Sequence, residues 1–298
     1  MLDFFKKLIS RGPRVTKVDV TKRFQLIGRV GQGSMSKVWR AIDGKSGRTV
    51  ALKLLDIDKT KRLESRFKGI KSPKPTEGEV ALSLKHPHIV QTYEAGITTN
   101  DEQYLVMEFV EGVGLGYLID LQNEIMQRNR LRFMIELGEA IEYFHRQNWI
   151  HRDICPRNVV LDQEYSIKLI DFGLVVPNTP EFQAPGNRTG TANYMAPELI
   201  KRQRTDQRID IFSYAVTCYE MFAKKLPWEA AETLDAVVQH INTPPDDLRA
   251  HCPDIDPRVS EIIMKGLAVA PRDRWQSMGA MVAALRDARD DAVKARKK

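Results

Sequence analysis

The sequence predicts an α+β protein made of a small β-rich lobe followed by a larger, mainly helical one. Three observations predict it. From Phe24 to near Leu55, apolar and polar residues alternate between glycine-bearing turns, the period of half-buried strands. Two further runs, "IVQTYEAGIT" and "EQYLVMEFV", read the same way. Past the glycines of "EGVGLG" the pattern becomes mainly helical. At 298 residues, with 42% hydrophobic and 29% charged residues, the chain has an ordinary globular composition and can bury a substantial core.

In order, "FQLIGRVGQGSMSKVWRAIDGKSGRTVALKLL" reads as a strand, a glycine-rich turn, a second strand, the "DGKSG" turn and a third strand. Residues 56–76 are polar and basic, carry Pro73 and Pro75, and read as a mobile connection. "TEGEVALSLKH" has helical spacing at Val80, Ala81 and Leu84 despite Gly78. After the two further strands, a hinge is expected near 108–114. Helices are expected over 115–125, 129–147, 207–224, 232–242, 258–268 and 277–290. Between them, 148–176 holds short strands and loops, and 177–206 is a long irregular segment of the kind that carries function. The resulting division is a leader over 1–23, a first lobe over 24–110, a second over 111–287 and a charged tail over 288–298 that frays into solvent. No internal repeat is present.

The net charge of +7 reads as a solvated surface with spare lysines. No compact Lys/Arg patch with interleaved aromatics appears, so a nucleic-acid partner is not expected. Cys155, Cys218 and Cys252 are odd in number, widely spaced and outside any CxxC pattern, which argues against a disulfide framework or a zinc site. A reducing, cytoplasmic setting follows as the expectation. No run of about 18 apolar residues exists to span a bilayer. The start "MLDFFKKLISRGPR" has too short an apolar core for a secretory signal. It reads as a leader or a segment packed on the body, with peripheral membrane contact as the alternative. The sequence carries no signal of oligomeric state.

Three constellations carry chemistry. In "VGQGSMSKV", the glycines Gly31 and Gly33 let the backbone approach a phosphate closely, in a strand–turn–strand context unlike the strand–helix of a dinucleotide site. In "VALKLL", Lys53 interrupts an apolar strand; it is either a snorkelling lysine or a phosphate ligand aimed by a carboxylate, with Glu77 preferred over Glu79. In "HRDICPRN" and "IKLIDFG", Asp153 can accept or orient a hydroxyl proton. Asn158 offers a neutral oxygen there and Asp171 an anionic one, a combination suited to Mg²⁺ beside a triphosphate.

These elements stand in one order with "VALK", "EGEVALSLKHPHIV", "YLVMEFVEG", "GTANYMAPE", "DIFSYAV" and "RDRW". In that order the chain resembles the eukaryotic-type (Hanks-type) protein kinases, over about Phe24 to Leu285. The resemblance implies the bilobal α+β kinase fold and transfer of the ATP γ-phosphate, with Mg²⁺, to a protein hydroxyl. It implies that Lys53 meets the α- and β-phosphates and pairs with Glu77, that Asp153 is the catalytic base, and that Asn158 and Asp171 bind the metal. It places the nucleotide against Val30, Gly31, Gly33, Ser34, Val38 and Ala51 above and Val160 below. Met107 would gate the back pocket, and the backbone of Glu108 and Val110 would meet the adenine edge. Glu198 would form a buried ion pair with Arg274.

The sequence also departs from the family. Serine/threonine-specific members usually carry a lysine two residues after the catalytic aspartate, and here that place is Cys155. Losing a cation there weakens stabilisation of the transferring phosphoryl group. Arg157, four residues after Asp153, can reach back and supply the charge. The alternative is a nucleotide-binding pseudokinase or scaffold. A reactive thiol at Cys155, its pKa lowered by nearby cations, is a further reading. "TGTANYMAPE" resembles the substrate platform of Ser/Thr kinases, with Thr191 bonded to the catalytic aspartate, and argues against a small-molecule kinase. Arg152 is the residue that in many relatives binds a phosphorylated loop. Here the usual phosphorylated place falls near 186–187 and has no hydroxyl, leaving Thr189 and Thr179; activation without phosphorylation is the expectation.

Overall fold

The structure, a computed structural model, describes residues 17–32, 36–67, 69–70, 73–186, 188–228 and 243–296. The described chain falls into two compact units, one from residues before 69 with 78–84 and 91–109, the other from 69–77, 85–90 and 110 onward. The α+β expectation holds.

In the first unit, β1 (Phe24–Gln32), β2 (Ser36–Asp43), β3 (Thr49–Leu55), β4 (Thr92–Ile97) and β5 (Gln103–Glu108) form one antiparallel sheet in the order β1-β2-β3-β5-β4. Strand side chains alternate between faces, so register decides what each face carries. Ala41, Val50, Leu52, Tyr104 and Val106 pack with Phe24 as a core on one face. Ala51 and Lys53 must then lie on the other. Lys53 sits across from Val38 and Leu105, and Ala51 across from Met107.

Arg23 closes the short helix α1 (Val20–Arg23) and ties this sheet together. Its Nε donates to Asp43 Oδ1 at 2.9 Å and its Nη2 to Glu94 Oε2 at 2.9 Å, while the Tyr104 hydroxyl donates to Glu94 Oε1 at 2.6 Å. The guanidinium holds Asp43 and Glu94 each down to about 2, below their ordinary 3.8 and 4.5. Just before α1, Val18 exchanges backbone bonds with Ile97 and Thr99, so residues from 17 onward pack on the sheet. Residues 1–16, the bulk of the expected leader, lie outside the described residues.

One expectation fails between the strands and the next helix. Residues 57–65 of the supposed mobile connection form a helix, α2 (Ile57–Ser65), capped by Asp56, whose Oδ1 accepts the Lys59 N–H at 3.0 Å. Only Leu63 of α2 is buried, so no apolar period announced it. The helix expected at 76–86 is α3 (Glu77–Ser83).

The second unit is built on α5 (Glu124–Arg146) and α7 (Arg208–Ala223), with α4 (Leu115–Leu121), α6 (Pro197–Ile200), α8 (Leu248–His251), α9 (Pro257–Gly266) and α10 (Met278–Arg296) around them. Asn123 caps α5 by accepting the Met126 N–H, and the helix buries Met126, Phe133, Met134, Leu137, Ile141 and Phe144. The helix expected over 115–125 stops at Leu121 because Gln122 turns left-handed, with φ of 47°. The tail expected to fray continues as α10 through Arg296; Arg286 bonds Glu139 and Arg258 bonds Asp291 along it. The helix expected at 232–242 lies outside the described residues. Three short strands, β6 (Val113–Gly114), β8 (Val159–Leu161) and β9 (Ile167–Leu169), form a sheet in the order β6-β8-β9, and β7 (Trp149–Ile150) pairs with β10 (Val176–Pro177). Gly112 cannot be replaced beside this sheet, since a Cβ there would lie 1.7 Å from the Leu161 carbonyl oxygen.

Candidate active site

The loop from His151 to Asn158 carries the residues singled out from the sequence, and α7 shapes it from within the same unit. Asp210 is fully buried in α7, and its carboxylate accepts the backbone N–H groups of His151 and Arg152, each at 2.8 Å. His145 Nε2 lies 2.9 Å from the same carboxylate. Burial alone would raise this carboxyl, but His145 and the loop amides hold it below its ordinary value. The anchored loop pins Arg152 at a φ of 69°, a conformation that a non-glycine residue keeps only where its surroundings enforce it. His151, stacked edge-on to Phe144 at 5.2 Å and Phe172 at 6.2 Å, is held neutral by burial.

This loop presents Asp153 with every oxygen engaged. Oδ1 accepts the Thr191 N–H at 2.8 Å and the Thr191 hydroxyl at 2.5 Å. Oδ2 accepts Asn158 Nδ2 at 2.9 Å and stands 3.5 Å from Arg157 Nη2. Arg157 Nη2 also donates to Thr191 Oγ1 at 2.5 Å. The arginine expected to reach back therefore does so, onto both the carboxylate and the threonine. Thr191 is delivered by Gly190, whose φ of 133° and whose absent Cβ allow its backbone against the Arg152 carbonyl, where a Cβ would lie at 2.6 Å.

Cys155 corrects one expectation. Its side chain is only 1% exposed, and burial pushes the thiol up to about 11, outweighing the nearby Arg157. It is a neutral packing residue whose Sγ lies 3.7 Å from Thr191 Oγ1, not a reactive thiolate.

A hairpin connects Asn158 to Asp171. Pro156 opens a single 3₁₀ turn ending at Asn158, after which β8 pairs with β9. The Ile170 N–H donates to the Asn158 carbonyl at 2.9 Å, so the residue after Ile170 emerges beside the loop. Asn158 Nδ2 is fixed by the Asp153 carbonyl at 2.8 Å and by Oδ2, which commits the amino side of the amide and leaves its oxygen as the ligand face. Asp171 is left-handed with φ of 73°, and its Oδ1 accepts the Gly173 N–H at 3.1 Å. A Cβ on Gly173 would lie 3.2 Å from Glu77 Oε2 and 3.4 Å from Asp171 Oδ1, so two carboxylates converge on this glycine. A hard cation bound by oxygens fits that donor set.

The remaining sequence-selected residues divide between the units. In the first, Val38, Ala51, Lys53 and Met107 share the sheet face described above; Lys53 is 4% exposed and Met107 is buried. Glu108 ends β5 and donates its N–H to Gln91. Gly31 pairs with Val38 at the end of β1, and Val30 is exposed. Gly33 and Ser34 lie outside the described residues. In the second, Val110 precedes β6, Val160 is half-buried in β8 and Glu77 is buried; Glu79, which belongs to the first, is exposed. Glu198 and Arg274 form the expected pair through two bonds of 2.7 Å.

Residues 24–284 match the family described as Protein kinase domain. The chain belongs to the protein kinase family. It is 30% identical over 247 residues to the probable serine/threonine-protein kinase pknA2 of Bifidobacterium longum, covering 81% of this chain and 32% of that protein. Against the serine/threonine-protein kinase PknA of Mycobacterium tuberculosis it is 31% identical over 275 residues, covering 90% of this chain and 61% of that protein. Against the serine/threonine-protein kinase PrkC of Bacillus subtilis the figures are 27% over 274 residues, 91% and 41%. The chain thus spans from about a third to three fifths of the length of these relatives. Among the described residues no helix is long and apolar enough to cross a membrane.

Sequence reasoning missed Asp210 and the need for Gly173 beside this loop. A carboxylate inside the apolar run "IDIFSYAV" was the available signal for the first. The second depends on Glu77, far away in the chain, and had none.

Proposed function

We propose that the chain is an ATP- and Mg²⁺-dependent protein kinase that transfers the γ-phosphate to serine or threonine hydroxyls of protein substrates. The observation that carries the reading is the carboxylate of Asp153, oriented at once by Thr191, Asn158 and Arg157. A carboxylate so held can align an acceptor hydroxyl and take its proton as the O–P bond forms. The relatives named as serine/threonine kinases support the choice of hydroxyl.

In this reading residues 24–110 carry the nucleotide and 111–287 the acceptor. Lys53 meets the α- and β-phosphates and Glu77 is the carboxylate assigned to it. Val38, Ala51 and Val160 flank the adenine, Met107 gates the back pocket, the backbone of Glu108 and Val110 meets the adenine edge, and the turn at Val30, Gly31, Gly33 and Ser34 covers the phosphates. Asn158 and Asp171 hold Mg²⁺, which neutralises charge on the phosphate oxygens. Arg157 stands in for the lysine absent at Cys155, since its guanidinium flanks the site of transfer. Nothing among the described residues favours the pseudokinase alternative. The reaction is placed in the cytoplasm, an assignment supported by Cys155, Cys218 and Cys252, which form no disulfide.

The test is transfer from radiolabelled ATP to a serine/threonine peptide array by the wild type, Asp153→Asn and Arg157→Ala. Wild-type transfer well above Asp153→Asn, with Arg157→Ala between them, is expected. Wild-type transfer no greater than Asp153→Asn would sink the reading.

A further inference from the structure

Resting on the kinase reading, we infer that Arg157 also selects the substrate, by gripping an anionic side chain close to the hydroxyl that accepts the phosphate. Arg157 Nη2 donates to Thr191 Oγ1 at 2.5 Å and stands 3.5 Å from Asp153 Oδ2. Its side chain is nevertheless 63% exposed, so one edge of the guanidinium is anchored at the catalytic carboxylate while the group remains open to solvent. A fork fixed at one corner is preorganised for a carboxylate or phosphate.

Neighbouring groups leave that charge available. The Cys155 side chain is buried, 1% exposed, with its Sγ turned to Thr191 Oγ1 at 3.7 Å. Glu220 of α7 is engaged by the Tyr194 hydroxyl at 2.5 Å, and burial raises its pKa, so it is a poor counter-ion. Asp153 is shared among Thr191, Asn158 and Arg157. An incoming anion meets an arginine whose charge is only partly spent, and an incoming lysine or arginine is repelled.

Reach sets the position. From Asp153 Oδ2 to Nη2 is 3.5 Å. The far edge of a guanidinium adds roughly 2 Å and a hydrogen bond about 3 Å, which puts the anion roughly 8 Å from the carboxylate that receives the hydroxyl. An extended peptide covers that in about two residues. The preferred acceptor is therefore a serine or threonine with Asp, Glu or a phosphorylated residue one or two places away.

The experiment uses the full chain with Mg²⁺-ATP and peptides differing at one position near the acceptor serine, carrying Glu, phosphoserine, Ala or Lys. The wild type is expected to favour Glu or phosphoserine over Ala by about tenfold in kcat/KM, mainly through KM, with Lys poorest. The two anionic arms distinguish an acidic from a phosphate-primed substrate. Arg157→Glu is expected to invert the order of Glu and Lys; should its turnover be too slow, peptide Kd by fluorescence anisotropy reads the same inversion. A wild-type preference for Ala or Lys, or an anionic preference untouched by Arg157→Glu, overturns the inference while leaving the kinase reading intact. Transfer by the wild type to no peptide overturns the kinase reading and this inference together.

Discussion

Replacing Glu198 with alanine tests how the second unit is braced beyond the acceptor platform. Glu198 and Arg274 are 5% and 0% exposed at their side chains and share two 2.7 Å bonds. Removing one partner of a buried pair destabilises by about 3–5 kcal/mol, because the other charge stays buried. Arg274 cannot swing out to water: its nitrogens also donate to the carbonyls of Ala268 at 2.6 Å, Val269 at 2.9 Å and Arg208 at 3.2 Å, and it stacks on Phe212 at 4.8 Å. The loss should therefore reach about 4 kcal/mol. With an unfolding entropy near 2.1 cal/mol/K per residue over 298 residues, the melting temperature should fall by roughly 6 °C. The same contacts make a second, less obvious claim. An isolated buried pair can often be replaced by apolar residues at no loss. Here Glu198→Leu with Arg274→Met would orphan three carbonyls, each worth about 1–3 kcal/mol, so the double variant should stay at least about 3 kcal/mol below wild type. Urea unfolding with matched slopes measures both. A single variant within about 1 kcal/mol of wild type, or a double variant as stable as wild type, would refute the reasoning.

Three further outcomes are expected. Asp43 and Glu94 are held at about 2 in the folded state, so the stability they contribute is full above their ordinary 3.8 and 4.5 and is lost as pH falls towards 2. The unfolding free energy from urea titrations should drop across that window, by at most about 2 kcal/mol for Asp43 and about 3 kcal/mol for Glu94, and Arg23→Leu should flatten the slope; an unchanged slope contradicts the network. Arg152 already donates Nη2 to the Phe182 carbonyl at 2.7 Å, and Thr189 is buried, so the Thr179→Val, Thr189→Val double variant should retain kinase activity. Stoichiometric phospho-Thr189 by mass spectrometry, with activity lost in that variant, would show that a phosphate is needed. Gly138 sits where a Cβ would meet Val282 Cγ2 at 2.5 Å, so Gly138→Ala should destabilise by about 1–3 kcal/mol, and Val282→Ala should recover part of that in a double-mutant cycle. Additive effects would mean that α10 does not pack there.

Strands and most helices were legible because their signals are local: alternation on β2 and β3, the 3.6 period on α5, glycine at the turns. The failures have local causes too. Helix α2 carries one buried residue, so capping by Asp56, not periodicity, was its signature. The end of α10 carries charges on all sides, which reads as fraying until Arg286 finds Glu139 on α5, 147 positions earlier. In the site, ordered motifs announced Asp153, Asn158 and Asp171, but the electrostatics were not written in the sequence. The pairing of Cys155 with Arg157 suggested a cation lowering a thiol; at 1% exposure desolvation wins and the thiol rises to about 11. That outcome ties the two departures from the family into one. A lysine at position 155 would have to escape from a buried place to reach phosphate, whereas Arg157 approaches from the exposed side and still bonds Asp153 and Thr191. Moving the cation by two residues thus keeps charge beside the carboxylate while shifting it from the interior of the loop to its exposed side.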